Sequence, residues 1–361
     1  MGLTITFDDT ELPVSPAFIS FLHGFLTDTN PPIPRWYAQE EEELLVGGQV
    51  FSDIQEKARV VMSRPDGVER VVQSYRYFKE MLIGRPGTLQ RLKRFSFFFV
   101  IGIPRSGGTY ITKQLFRAIG LDYTQVQTAL AHDGFPNLAL FSFEEKSNLH
   151  TNSILQLAEY LTMVEIYFTK FGKLAHNGAV VVPKKFTKAV YNFPLIKEMF
   201  GNNAYYLITL RHPLSMIRST LEKSKGLPPG GRFAVRSTIE QWALQDWRRW
   251  GTSDRELATM SYFEVMLGYW KRYHYELALV GLPMMPTAKL ITYGKERMTR
   301  AAETLFAELG VNMTPEEFKV AEAMPFERQQ VAQADLALDQ VARFWRDLGL
   351  TFPHAEIAEP V

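Results

Sequence analysis

The chain has 361 residues, 46% hydrophobic and 22% charged, with 40 basic side chains against 39 acidic for a net charge of +1. That composition can build a sizeable core and excludes nucleic-acid or membrane binding driven by net charge, so any anion must be held by a local cluster. Cysteine is absent, which excludes disulfides, thiolate metal sites and a thiol nucleophile, and fits a reducing cytoplasmic compartment.

In chain order, MGLTITFDDTELP has neither a basic nor an apolar leader region, so no signal peptide is expected. Gly2 and Thr6 match the loose myristoylation spacing, but lipidation is not expected. Residues 1–94 alternate turn markers with helix-like stretches such as VERVVQSYRYFKEMLIG and read as a helical N-terminal extension. From residue 95 the rhythm becomes strand–helix alternation. FSFFFVIGI (95–103) is a continuous apolar run, suited to a strand buried on both faces and too short to span a bilayer. GAVVVP (178–183), AYYLITL (204–210) and AKLITY (288–293) read as three more strands. Helices are expected over 109–120, 151–171, 213–224, 239–250, 255–280, 296–309 and 332–347, and Thr314-Pro315-Glu316-Glu317 reads as a capping box opening another. The expected fold is therefore α/β, a mostly parallel sheet flanked by helices over 95–361. Residues 223–236, with Lys223, Lys225, Arg232 and Arg236 and no acid, read as a mobile basic loop. It is either a solvated connection or a lid over an anion.

GIPRSGGTY (102–110) matches the phosphate-cradling pattern G-x-x-x-x-G-K-[ST] except that Gly108 stands where the lysine should be. A strand precedes it and a helix follows, so backbone N–H groups of Gly107 and Gly108 and the helix N-terminus can face an anion. Arg105 adds a fixed charge and Thr109 a hydroxyl. A second strand ends similarly in LITLRHPLSMIRST (207–220): Arg211, then a helix with Leu214, Ile217 and Leu221 on its buried stripe and Ser215 and Ser219 on a neighbouring face. Two anion sites at strand carboxyl ends suggest a nucleotide phosphorylated at two separate positions.

PRSGGTY resembles the 5′-phosphosulfate loop of sulfotransferases that use 3′-phosphoadenosine 5′-phosphosulfate, and RHPLSMIRS resembles their 3′-phosphate motif, an arginine and a serine eight apart. VVVPKKF (180–186) lies between them, like the family's lysine-bearing strand. The resemblance covers about 95–312. It implies a P-loop NTPase-like sulfotransferase fold, that donor with adenosine 3′,5′-bisphosphate as product, and no metal. By the same resemblance Arg105, Ser106, Gly107, Gly108, Thr109 and Tyr110 would hold the 5′ end, with Arg105 also stabilising the bridging oxygen. Arg211 and Ser219 would hold the 3′-phosphate, and Tyr293 would lie at the adenine. One of Lys184 and Lys185, with Lys185 favoured, would aid transfer. The base would be His132, with Asp133, Glu144, Glu145 and His274 as alternatives.

Several residues depart from the family pattern. Gly108 replaces a threonine, Tyr110 a tryptophan or leucine, and Tyr293-Gly294-Lys295 stands in place of Y-E-D. No C-terminal R-K-G is found, and Arg232 and Arg236 could substitute for it. The tryptophans at 242, 247 and 250 suit either an aromatic acceptor pocket or core. The expected activity is transfer of a sulfuryl group to a hydroxyl or amine of a small molecule, such as a secondary metabolite, with neither nucleic acid nor membrane as partner and a homodimer left open. The alternatives are a P-loop kinase or NTPase, which would need Mg²⁺ and ATP, and a non-catalytic nucleotide-binding protein on the same fold.

Overall fold

The computed structural model describes residues 3–7, 10–28, 48–84, 91–126, 128–133, 135–136, 146–172, 175–223, 229–320 and 326–357. Thr4–Phe7 (β1) and Thr10–Pro13 (β2) pair as an antiparallel hairpin, an element the helical reading of residues 1–94 did not include. Helices α1 (Pro16–Leu26), α2 (Gly48–Met62) and α3 (Pro65–Leu82) follow. Proline at the first turn of α1 and of α3 suits a position whose N–H has no helical acceptor.

The sheet begins at β3 (Phe95–Ile101), every residue of which is buried. After it come α4 (Gly108–Ala118), α5 (Lys146–Phe171), β4 (Ala175–His176), β5 (Ala179–Lys185), α6 (Phe193–Phe200) and β6 (Ala204–Leu210). Next are α7 (Pro213–Lys223), α8 (Thr238–Arg249), α9 (Tyr262–Leu279), β7 (Ala288–Thr292), α10 (Lys295–Glu308) and α11 (Arg328–Asp347). The strand order is β4-β5-β3-β6-β7, with β5, β3, β6 and β7 parallel and the short β4 antiparallel at one edge. This is an α/β fold with a central, mostly parallel sheet flanked by helices. Its centre is aromatic: Phe97 packs on Phe200 at 4.6 Å and Phe98 stacks on Tyr205 at 4.7 Å between ring centroids. Each such ring contributes about 1.5–3 kcal/mol of burial.

From β3 the chain crosses to β5 on one side and then to β6 on the other, so the sheet's switch point lies between β3 and β6. Loops leaving the carboxyl ends of neighbouring strands at that point diverge and leave a crevice. Residues 102–107 and Arg211-His212 are those two loops.

Three expectations are corrected. No helix starts at Thr314: residues 311–320 run without regular structure, because the Glu316 N–H donates to the Gln114 side chain and Phe318 is buried between Tyr110 and Tyr293. The helix expected over 255–280 is broken, since Ser261 and Glu264 form a capping box that starts α9 afresh at Tyr262. Helix α6, absent from the expectations, fills the crossover between β5 and β6.

Candidate functional site

The chain leaves β3 at Ile101 and turns through Gly102 to Gly107. Arg105 has φ of +72° and Gly107 +93°, both left-handed. Glycine takes that conformation freely and arginine takes it at a cost. A Cβ on Gly107 would also strike the Met298 methyl, which would have to swing aside. Ser106 turns inward: its hydroxyl donates to the Ile103 carbonyl at 2.7 Å and lies 2.7 Å from Thr209 Oγ1. Thr112 donates back to the Gly108 carbonyl at 2.9 Å, and α4 begins immediately after the turn.

The two loops lock together. Arg105 Nε donates to Ser219 Oγ at 2.9 Å, and Arg211 Nη1 donates to the Arg105 carbonyl at 2.6 Å. Arg211 is 2% exposed, and its guanidinium lies 3.7 Å from the Tyr293 ring centroid. Its Nε and Nη2 have no hydrogen-bond partner. Burial, and with it the Arg218 and Arg105 charges, pulls the Arg211 guanidinium down to about 10, so it remains charged at neutral pH. Beside it His212 is buried; its Nδ1 accepts from the Leu214 N–H at 3.2 Å, which puts the proton of the neutral ring on Nε2. Burial, then Arg211 and Arg218, push His212 down to about 4. A small cavity here is lined by Arg211, His212, Ser215, Tyr293 and, from the C-terminal turn, Glu356 and Ile357.

The third strand end brings the lysines. Lys184 is fully buried and donates to the carbonyls of Ala129 (3.0 Å) and His132 (3.1 Å), with its ammonium 4.6 Å from the Tyr160 ring centroid. Burial lowers it to about 7, against the pull of Asp133. Lys185 points to the other face: its Nζ is 2.5 Å from Asp133 Oδ2, and its Cε lies 3.4 Å from where a Cβ on Gly108 would be. Asp133 also accepts from the Thr187 N–H at 2.6 Å and the Thr187 hydroxyl at 3.2 Å. Burial opposes its charge, but Lys185, His132 and the Thr187 N–H outweigh that and hold the carboxyl at about 2. His132 is partly exposed, with Nδ1 3.9 Å from Asp133 Oδ2.

Arg105, Ser106, Gly107, Gly108, Lys185, Arg211 and Ser219 therefore converge on one end of the sheet, with Thr109 in the first turn of α4. Tyr110 turns away: its hydroxyl donates to the Glu316 carbonyl at 2.6 Å and its ring packs on Phe318. Tyr293 has one ring face taken by Arg211 and an edge against Phe318. His274 belongs to the core between α9 and α11; its Nδ1 is 2.7 Å from the Trp270 carbonyl, and burial pushes it down to about 4. Glu144 and Glu145 lie outside the described residues, as do 224–228 of the basic loop. The rest of that loop is pinned, with N–H groups of Phe233, Tyr262 and Phe263 bonded to the carbonyls of Met260, Gly231 and Pro229; Arg232 and Arg236 are exposed. Trp247 donates to the Val265 carbonyl and stacks under Arg272, and Trp242 is buried near the Lys188 ammonium.

The motifs missed Arg218, Thr209 and Thr187. Arg218 had a signal: it follows Ser215 by three residues on α7, on the same side of the helix, and Ser215 follows Arg211 by four. Thr209 and Thr187 act only through contacts between strands, which no local pattern displays. Among the described residues no group of three acidic or histidine side chains is arranged to hold a metal, and no helix is long and apolar enough to cross a membrane.

Fold and site together define an α/β protein in which two arginine-bearing loops interlock at the sheet's switch point. No protein-family model and no curated relative matches the chain. Among solved structures it is similar to a sulfotransferase from Alicyclobacillus acidocaldarius, at 15% identity, over 71% of this chain and 96% of that one, with a TM-score of 0.37. A likeness that slight carries no argument about the site.

Proposed function

We propose that the chain is a sulfotransferase taking 3′-phosphoadenosine 5′-phosphosulfate as donor and a small-molecule hydroxyl or amine as acceptor, in the cytoplasm. The observation that carries this reading is the double link between the loops: Arg105 reaches Ser219 with its side chain and Arg211 with its carbonyl. One rigid unit thereby presents two separated anion-binding positions, as a nucleotide with phosphates at both its 5′ and 3′ positions requires. The fit is chemical as well as spatial, because Arg211 retains two buried donors without partners.

When bound, the donor supplies a sulfuryl group whose S–O bond to the 5′-phosphate breaks with its electron pair going to the phosphate. Arg105 and Lys185 are the residues that meet that growing negative charge. An acceptor hydroxyl or amine forms the new bond to sulfur and loses its proton. His132 takes it, since Asp133, held at about 2 by Lys185, is too weak a base at neutral pH and serves instead to orient the lysine and back the histidine. Tyr293 packs against the Arg211 guanidinium and, in this reading, lies beside the adenine. Arg232 and Arg236 belong to the same proposal as groups that cover the 3′ end.

The test is calorimetric titration with adenosine 3′,5′-bisphosphate in chelator, followed by transfer of labelled sulfate from donor into a metabolite extract. Tight metal-free binding and products that vanish in R105A are expected. Binding of Mg²⁺-ATP with none of the bisphosphate would move the chain to the nucleotide kinases or NTPases. Binding without any transfer would make it a nucleotide-binding protein.

A further inference from the structure

We infer that Arg218, which neither phosphate motif includes, is the second guanidinium of a dianion site and makes the protein select a terminal phosphate monoester. Arg218 is 4% exposed, yet its Nε and Nη2 have no hydrogen-bond partner. Arg211 Nε and Nη2, His212 Nε2 and Ser215 Oγ are likewise buried and unpartnered. These six polar atoms, at least five of them donors, lie within eight residues around the start of α7.

Buried donors are almost always bonded, and a buried charge is normally paired. Here two guanidinium groups are buried close enough for Arg218 to depress Arg211, and no carboxylate makes an ion pair with either among the described residues. The acids nearby do not close on either guanidinium. Glu356 lines the cavity and accepts from the Thr292 hydroxyl at 2.7 Å, Asp335 stands 4.0 Å from His212 Nε2, and Glu222, a turn beyond Arg218 on α7, acts on Arg211 through its charge without forming an ion pair. A cluster that raises the cost of folding without an internal counter-ion is built for an external one. Two fixed positive charges match a dianionic phosphate monoester, and Ser215 and Nε2 of His212 supply hydrogen bonds to its further oxygens.

This rests on the proposed donor only for the ligand's identity, which would be the nucleotide carrying a 3′-phosphate. Three measurements on the full chain separate the two ideas. Wild type, Arg218→Met and Arg218→Lys are titrated with adenosine 3′,5′-bisphosphate and with adenosine 5′-monophosphate, and their melting temperatures are read with inorganic phosphate against chloride at matched ionic strength. R218M should lose about 10–100-fold in affinity for the bisphosphate, as expected for a lost charge-assisted contact, with less than about threefold change for the monophosphate. R218K should fall between. Without ligand R218M should melt no lower than wild type, because an uncompensated buried charge has been removed; a residue holding the fold together would lower it. Phosphate should raise the melting temperature of wild type and not of R218M.

Unchanged bisphosphate affinity in R218M, or in R218K should R218M not fold, overturns the inference. So does a phosphate effect that persists without Arg218. If wild type does not discriminate the bisphosphate from the monophosphate while phosphate stabilisation still needs Arg218, the dianion site stands and the sulfuryl-donor reading falls.

Discussion

The Cε of Lys185 lies 3.4 Å from the position a Cβ would take on Gly108. The loop lacks a lysine at its usual place, and the end of the neighbouring strand puts one beside it. Gly108→Ala should therefore be tolerated by the fold, with stability unchanged or raised by up to about 1 kcal/mol because alanine favours the helix start. Its methyl touches the Lys185 stem, so transfer should fall several-fold. The stricter check is rescue. Lys185→Ala should weaken bisphosphate binding, and adding Gly108→Lys should restore it to within about tenfold of wild type. A double variant no better than K185A would show that the two lysine positions do not share one space.

Arg105 combines a left-handed backbone with the side-chain bond to Ser219. Strain of this kind costs about 1–3 kcal/mol in a residue with a Cβ, and glycine relieves it. Arg105→Gly is expected to melt at or above the wild-type temperature while losing more than about 100-fold in transfer rate. Arg105→Ala keeps the strain and should lose activity without gaining stability. Thermal melts beside labelled transfer assays check both, and a destabilised R105G would mean that the Ser219 bond outweighs the backbone cost.

The sheet was legible because β3 is apolar at six of its seven positions, Ser96 being the exception, and such a run between turn signals suits a strand covered on both faces. The position of the two loops was legible because glycine, arginine and proline mark strand ends locally. Segment 311–320 was not: Thr314 and its neighbours spell a helix start, but the Gln114 amide and the edge-on ring contacts of Phe318 with Tyr110 and Tyr293, all distant in sequence, take the backbone and side chains elsewhere. The same limit applied to Lys184 and Lys185. Alternation says that adjacent strand residues face opposite ways, but only Ala129 and His132 on one side and Asp133 and Gly108 on the other say which way is which.

Asp133 gives an acid-stability test. Its carboxyl is held at about 2, below the ordinary 3.8, by Lys185, His132 and Thr187 acting against burial. A depressed carboxyl contributes stability that is complete above the unfolded value and is lost as pH falls toward the folded one. Wild type should therefore lose on the order of 2 kcal/mol from this group between about pH 4 and pH 2. Asp133→Asn should be less stable at pH 7, since Lys185 is left without its partner, yet should show a flatter profile below pH 4. Urea melts across that range read both effects, and parallel acid profiles in the two proteins would contradict the pairing.

Lys184 gives a slope of the same sign on the alkaline side. Burial depresses its ammonium to about 7 from 10.5, so over that interval the unfolded chain binds the proton and the folded chain does not. Stability contributed by this group therefore rises with pH, by on the order of 1 kcal/mol per pH unit between about 7 and 9.5. The buried tyrosines, which ionise above 10, do not interfere below that limit. Lys184→Met removes the titration together with the ammonium's bonds to the Ala129 and His132 carbonyls. It should thus be less stable than wild type at pH 9.5 and closer to it at pH 7. A stability difference independent of pH would mean that Lys184 stays charged in the folded protein, held by those carbonyls and the Tyr160 ring.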